Sequence, residues 1–350
     1  MKMTVMSKGR ADPHQGWAAI EEFAELLVQI FDAQWVSPTN QPRGWMGRSP
    51  FVSRRPRFSP LPNAAEIGGD VLFVVAGSPA DLAMVGSIPD ARKRFARIHA
   101  FVTDSYFEHG FVRETALFDS ITVTAKEDVA YPRDRFGIAV HHLHQGADVL
   151  RWAPRSLDTP RAIDLIAYGR TPASYHEVLC DRYHRMDSDA LYLHSPLGNL
   201  TGPTVARERS MLFKLLHRTH ISLAFHLLVE VLPHRPVSMM VTSRWLESLA
   251  SGCIVAGRRP VSTMADDMLC WDGATIELSE DPRIAADEID DLIARKSEFT
   301  DQRRCNIANM FRHHDWRWRI SELCALHGWA RPERLESELA AVVKLSQDWA

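Results

Sequence analysis

Short apolar runs rich in valine and isoleucine alternate with longer amphipathic segments along most of the chain. The apolar runs predict strands at residues 2–6, 71–76, 98–103, 120–124 and 137–141, and again at 162–168, 190–194, 221–225, 253–257 and 275–278. Segments such as residues 16–33 place apolar residues three and four positions apart and predict covering helices. This alternation predicts an α/β protein built on parallel sheets.

Two domains are predicted from the length and from one break in the pattern. The segment WAPRSLDTP, residues 152–160, carries prolines between two predicted strands and indicates an interdomain linker. We therefore predict a first domain over residues 1–151, a second over 161–330, and a final helix within 331–350. A chain of 350 residues is long enough for each domain to bury its own core.

Composition narrows the range of partners. Hydrophobic residues make up 45% of the chain and charged residues 24%, with a net charge of -3, so a nucleic-acid partner is not expected. The five cysteines are scattered and form no CxxC pair, which argues against a disulfide framework or a zinc site. The longest apolar run, residues 221–232, is too short for a transmembrane segment. We expect a cytoplasmic protein without a signal peptide.

Residues 242–257, TSRWLESLASGCIVAG, combine a helix start, an isolated acid and a buried strand. Thr242 and Ser243 are good N-cap residues, and Glu247 does not belong to the apolar face of the helix that follows. Glu247 is also one position too late for a capping box, so we predict an unpaired acid that faces an open crevice. The helix N-terminus and Arg244 together suit an anion such as a diphosphate.

This segment resembles the donor-binding helix of glycosyltransferases with the GT-B fold, in the branch of group 1 and spore-maturation-type enzymes. Three further segments resemble the same family: RAIDLIAYGR at residues 161–170, HDWRWRI at 314–320, and the GxD turn at 146–148. The resemblance covers roughly the last two hundred residues, and its motifs stand at the family's usual spacing.

The resemblance implies two Rossmann-like domains that face a cleft, with C-terminal helices crossing back to the first domain. The first domain would bind the acceptor, the second would bind the nucleotide sugar, and the helix at 331–350 would pack on the first. The implied activity is transfer of a sugar from a nucleotide-diphosphate sugar to an acceptor hydroxyl, with retention, in polysaccharide or glycoconjugate biosynthesis. The acceptor would be a carbohydrate, a lipid or a protein. No metal or cofactor is implied beyond the nucleotide-sugar co-substrate.

The family pattern also implies the donor-binding residues. These follow the first strand of the second domain and open the donor-binding helix: Tyr168, Gly169, Arg170, Thr242, Ser243, Arg244 and Glu247. Arg170 and Arg244 would hold the diphosphate, and Glu247 would accept hydrogen bonds from the ribose hydroxyls. Many relatives carry an E-x7-E pair, and Met239 stands where its first acid would be. The identity of the donor sugar therefore stays open.

Several alternatives remain at this level. Glu247 could form an i, i+3 ion pair with Arg244 on a helix surface. The general base is unassigned, and Asp104, Glu108 and His109, after the strand at 98–103, are the candidates. The histidine cluster at residues 141–144 is not expected to bind a metal, although strand-end histidines could contact the acceptor or a phosphate. The Pro- and Arg-rich loop at 38–62 is a candidate acceptor loop, although such charges are more often simply solvated. The rival functions are a sugar-nucleotide epimerase and a degenerate, non-catalytic module that binds a sugar nucleotide or a partner.

Overall fold

The computed structural model describes residues 1–9, 15–40, 58–106, 108–195, 205–226 and 238–350. Within these residues the predicted α/β fold is confirmed, because the strands form one six-stranded and one five-stranded parallel sheet. The chain divides into two units. The first comprises Met1–His144, Thr201–Val205 and Pro236–Ser238, and the second comprises the rest. The second unit therefore begins before the predicted linker at 152–160.

The first unit has its strands in the order β2-β1-β3-β4-β5-β6. These strands are β1 (Met3–Met6), β2 (Gln34–Val36), β3 (Gly69–Ala76), β4 (Phe95–Val102), β5 (Ser120–Val123) and β6 (Ala139–His142). The helices between them are α1 (Ala18–Phe31), α2 (Ala91–Arg94) and α3 (Ala130–Phe136). From Val71 onward β3 is buried at every position, as expected for a parallel strand covered on both faces.

The second unit has its strands in the order β11-β10-β9-β7-β8. These strands are β7 (Ile163–Ala167), β8 (Tyr192–His194), β9 (Thr219–Phe225), β10 (Ile254–Arg258) and β11 (Ile276–Glu277). The helices are α4 (Val149–Trp152), α5 (Ala173–Tyr183), α6 (Val205–Leu216), α7 (Ser243–Ala250), α8 (Thr263–Met268), α9 (Pro282–Ala294), α10 (Thr300–His314), α11 (Trp316–His327) and α12 (Glu333–Trp349). Helix α12 packs on α10 and α11. Its predicted packing on the first domain stays a prediction.

Both sheets contain a topological switch point. In the first unit, β2 lies on one side of β1 and β3 lies on the other; in the second, β8 and β9 flank β7 in the same way. Ligands of open α/β sheets bind where the chain leaves two such neighbouring strands in opposite directions, at their carboxyl ends. The fold therefore predicts one ligand-binding position after β1 and β3, and another after β7 and β9.

A buried cation joins three helices of the second unit. Arg317, at the start of α11, places Nη1 2.7 Å from Asp148 Oδ1 and 3.1 Å from Asp315 Oδ1. Its Nε donates to Glu338 of α12 at 2.6 Å. Asp148 is the N-cap of α4, and Asp315, which is fully buried, accepts from the backbone N–H groups of Arg317 and Leu150. Burial raises the pKa of Asp315, and Arg317 opposes that shift.

Replacement of this cation should destabilise the second unit. Arg317→Met leaves Asp148 and Asp315 buried without their counter-charge, and we expect a loss of about 3–5 kcal/mol in the free energy of unfolding. Urea denaturation followed by far-UV circular dichroism measures it. Arg331→Met is the matched control, because Arg331 is 45% exposed and meets Glu336 only at 3.5 Å. Equal losses in the two variants would contradict the structural role of Arg317.

Candidate functional site

The loop after β7 lies at the switch point of the second unit. Its central residue, Gly169, has a φ of 73°, a left-handed conformation that favours glycine. A Cβ atom at this position would lie 2.2 Å from Nη2 of Arg244. The missing side chain therefore lets the guanidinium of α7 pack directly against the loop.

Arg244 holds this loop in place. Its Nη1 donates to the backbone carbonyl of Arg170 at 2.7 Å. Burial lowers the pKa of Arg244 to about 10, so the side chain still carries its charge at neutral pH. One of the Arg244 hydrogen-bond donors that the sequence predicted for an anion therefore binds the protein backbone instead. The neighbouring Arg170 is only partly buried.

Tyr168 connects the end of β7 to α7 and β9. Its hydroxyl lies 3.1 Å from Ser248 Oγ and 3.2 Å from the carbonyl oxygen of Arg244. Ser248 in turn lies 2.8 Å from Ser222 Oγ in the middle of β9. Burial, together with the charge of Glu247, raises the pKa of Tyr168 well above its usual value. The hydroxyl stays protonated and remains available as a donor.

Glu247 is buried and paired, which corrects the sequence-based prediction. Its carboxylate lies 2.7 Å from Nη1 of Arg209 on α6, and both side chains are nearly inaccessible, at 4% and 8%. Its other oxygen lies 3.4 Å from the hydroxyl of Tyr168. The prediction of an unpaired acid facing an open crevice was therefore wrong. The alternative of a surface ion pair with Arg244 was also wrong.

Arg209 is the residue that the sequence analysis missed. It lies on the apolar stripe of α6 with Leu212, Phe213 and Leu216, all of them buried. Its guanidinium carbon lies 4.9 Å from the centre of the Phe213 ring. An arginine at a stripe position must be buried, and a buried charge needs a partner of opposite sign. The position of Arg209 among the apolar residues of α6 was the sequence feature that could have predicted a buried ion pair. It does not identify Glu247 as the partner.

The N-terminus of α7 presents groups that suit an anion. Thr242 is the N-cap in extended conformation, but its hydroxyl makes no capping hydrogen bond. Its Oγ1 atom is buried without a hydrogen-bond partner among the described residues, and the same holds for Thr171 Oγ1 just after the β7 loop. Ser243 opens the helix, where the first backbone N–H groups lack intrahelical partners. Buried hydroxyls beside free N–H groups form a site for a ligand with several acceptor oxygens.

The candidate bases lie in the first unit, after β4. The backbone N–H of Asp104 donates to the carbonyl of Gly77 at 2.9 Å. Glu108 opens a short 3₁₀ helix and is partly buried, while His109 is exposed, with its ring 6.2 Å from that of Tyr131. Their catalytic role stays a prediction.

The histidines at 141–144 and the basic loop were the other sequence-level candidates. The rings of His142 and His144 lie 4.3 Å apart, edge to face. Across the described part of the chain, no group of three or more His, Cys, Asp or Glu side chains is placed to hold a metal ion. The arginines of the basic loop, Arg43, Arg48, Arg54, Arg55 and Arg57, lie outside the described residues.

Comparison with known proteins agrees with this architecture. Residues 189–325 match the family model described as Glycosyl transferase-like. The crystal structure of Anabaena HepE in complex with UDP and glucose superimposes with a TM-score of 0.56 at 9% identity, covering 94% of this chain and 100% of that one. The HepE complex with UDP-glucose gives 0.55 at 10% identity with the same coverage. No curated protein matches the sequence.

The two sheets, each with its switch point, are the architecture of the GT-B fold, which the HepE superpositions share. Residues 189–325 match the Glycosyl transferase-like family model, and this match together with the shared fold supports the predicted resemblance to group 1 glycosyltransferases of the GT-B fold. The predicted resemblance, fold class and enzyme class are thereby confirmed. Within the described residues, no helix is both long enough and apolar enough to span a membrane.

Breaking the Arg209–Glu247 pair should cost stability. Glu247→Ala leaves the Arg209 guanidinium buried and unpaired, so we expect the free energy of unfolding to fall by about 3–5 kcal/mol. The double variant Arg209→Met/Glu247→Met removes both charges at similar volume and should recover most of that loss. Urea denaturation of the three proteins measures the difference.

The matched control is Glu280→Ala, at a surface acid that is 83% exposed and pairs with Arg258. Its effect should stay within about 1 kcal/mol. A double variant no more stable than Glu247→Ala would show that lost packing, and not an unpaired charge, explains the effect.

Proposed function

We propose that the chain transfers a sugar from a nucleotide-diphosphate sugar to an acceptor hydroxyl, with retention of configuration at the anomeric carbon. The observation that carries this proposal is the buried Thr242 hydroxyl, without a partner among the described residues, at the N-terminus of α7. It lies on the helix whose Arg244 packs against Gly169, at the switch point of the second unit. A diphosphate supplies the negative charge and the acceptor oxygens that these groups need.

The diphosphate would accept hydrogen bonds from the first N–H groups of α7 and from the hydroxyls of Thr242 and Ser243. Arg170 would add a cation from the β7 loop, and Arg244 would contribute charge while it holds that loop. Preorganised donors of this kind stabilise the negative charge that develops on a departing diphosphate. The UDP and UDP-glucose complexes of HepE favour a uridine nucleotide as the donor here.

Glu247 would act on the donor site through the residues that it holds in place. Its carboxylate is 4% exposed, with Arg209 at Oε1 and the hydroxyl of Tyr168 toward Oε2. The ion pair would hold α7 against α6 and so fix the position of the α7 N-terminus for the diphosphate. Gly169 would allow close approach of the nucleotide to the loop backbone.

The acceptor, the cellular compartment and independence of a metal ion complete the proposed reaction. The acceptor would be a carbohydrate, lipid or protein hydroxyl bound by the first unit, and the reaction would run in the cytoplasm without a metal ion. Because Met239 replaces the first acid of the family's pair, a non-catalytic binding module is the rival to be tested.

Release of free nucleoside diphosphate separates the transferase from the binding module. We expect the wild-type protein, incubated with a panel of UDP-, GDP- and ADP-sugars, to consume one donor slowly with water and faster when an acceptor extract is added. Coupled enzymatic detection of the nucleotide measures this. Donors that bind in calorimetry but stay unconsumed under both conditions would identify a module.

The Thr242 hydroxyl should contribute directly to donor affinity. Thr242→Val preserves shape and removes a hydrogen bond to a charged group, worth about 1.5–3 kcal/mol, so UDP affinity should fall at least roughly tenfold. Isothermal titration calorimetry measures it. Thr115→Val is the matched control, since Thr115 in the first unit is also buried and has no partner among the described residues. Equal affinities in the wild type and in Thr242→Val would contradict the proposed site.

Donor turnover should not depend on a divalent cation. Because the diphosphate would be held by backbone N–H groups, hydroxyls and arginines, we expect nucleotide release to continue unchanged after exhaustive treatment with EDTA. The assay is repeated with added Mg²⁺ or Mn²⁺. A loss of activity on chelation, restored by either ion, would contradict metal-independent transfer.

A further inference from the structure

The side-chain amide of Gln145 holds the backbone immediately before helix α7. The second unit begins at Gln145, which is 2% exposed. Its Nε2 donates a hydrogen bond to the carbonyl oxygen of Val241, a residue that is fully buried. Because a buried carbonyl group without a partner is unfavourable, this hydrogen bond fixes where the backbone of Val241 can lie.

The same hydrogen bond determines the direction of Thr242. The carbonyl of Val241 and the N–H of Thr242 belong to one planar peptide group, so they point in opposite directions. Fixing the carbonyl therefore fixes the plane from which the Thr242 side chain starts. Thr242 is the N-cap of α7, and its Oγ1 is the buried hydroxyl that has no partner among the described residues.

A second hydrogen bond fixes the same segment two residues earlier. Ser262, the N-cap of α8, donates from Oγ to the carbonyl of Met239 at 2.7 Å. Side chains of the second unit thus hold two carbonyl groups between residues 239 and 241. The contact from Gln145 is the one directly next to Thr242, so it has the greater influence on the start of α7.

The turn that follows Gln145 is fixed against the end of α10. Ala147 donates its backbone N–H to the carbonyl of His314 at 2.9 Å. A Cβ atom on Gly146 would lie 2.7 Å from that carbonyl oxygen, so the close approach requires glycine at this position. Gln145 is therefore carried by backbone that has little freedom to move.

The buried cation of the second unit secures the end of this turn. Asp148 lies 2.7 Å from Nη1 of Arg317 and caps α4 by accepting a hydrogen bond from the backbone N–H of Arg151. Hydrogen bonds and one ion pair therefore connect the start of α11, through the turn at 146–148 and Gln145, to the start of α7.

We propose that Gln145 is a positioning residue of the donor site, which directs the hydroxyl of Thr242 toward the diphosphate. The inference rests on the proposed function, in which that hydroxyl binds the diphosphate. Gln145 acts through the Val241 carbonyl and not by contact with the nucleotide. The hydroxyl then meets its ligand already oriented, which avoids the cost of ordering it on binding.

Gln145→Glu makes this contact depend on pH. A protonated carboxyl group can still donate to the Val241 carbonyl, whereas the carboxylate has only acceptors. Burial raises the pKa of a carboxyl group, so both forms should be reached between about pH 5.5 and 8.5. Isothermal titration calorimetry compares UDP affinity with the wild type at each pH. The loss should stay within about twofold at the lower pH and reach at least roughly tenfold at the higher.

Gln302→Glu is the matched control. Nε2 of Gln302 also donates to a backbone carbonyl, that of Asp272 at 3.0 Å, but this loop precedes β11 and so lies at the amino end of the sheet. UDP affinity of this variant should follow the wild type at both pH values. A Gln145→Glu protein with wild-type affinity at both pH values, or one equally weak at both, overturns the inference.

Gln145→Leu tests whether the residue acts through Thr242. Leucine has a similar volume but donates no hydrogen bond, so UDP affinity should fall at least roughly tenfold, with far-UV circular dichroism verifying the fold. In the Thr242→Val background the same substitution should cost little more, because the hydroxyl that Gln145 orients is already absent. Additive losses would contradict the proposed positioning. Failure of the proposed function is distinct, because the wild type and Gln302→Glu would then bind no nucleotide.

Discussion

The buried pair between Arg209 and Glu247 determines how helices α6 and α7 of the second unit are assembled. Both charges lie almost out of contact with water, and either one alone would be strongly unfavourable there. Helices α6 and α7 are therefore bound to each other by a constraint that neither helix satisfies by itself. Since Ser248 and Arg244 of α7 both contact the β7 loop region, that constraint extends to Tyr168 and to the backbone of Arg170.

The same contacts divide the polar groups of the site into two sets. The guanidinium of Arg244 and one oxygen of Glu247 are committed to protein partners, so they maintain geometry. The hydroxyls of Thr242 and Thr171 have no hydrogen-bond partner among the described residues. A site organised in this way meets its ligand with donors already in position, which avoids reorganisation when charge develops.

The strands of both sheets could be predicted from sequence because parallel strands covered on both faces are nearly continuous apolar runs. Strand β2, Gln34–Val36, was missed because three residues, of which only Val36 is buried, carry no such signal. The partner of Glu247 was missed for another reason: Arg209 belongs to a different helix, and no local spacing links the two. Glu21 resembled an ordinary residue of the polar face of α1, and only the folded structure places it against Ser7 and Gly9.

Both units place a loop glycine at the same topological position, beside side chains of different chemistry. After β7 the chain offers that glycine together with arginines and hydroxyl groups, which suit an anion. After β1 a glycine covers the carboxyl group of Glu21, whose pKa is raised by burial to about 7. Burial of a titratable acid is unfavourable, and the hydrogen bonds from Ser7 and from the backbone of Gly9 offset part of that cost.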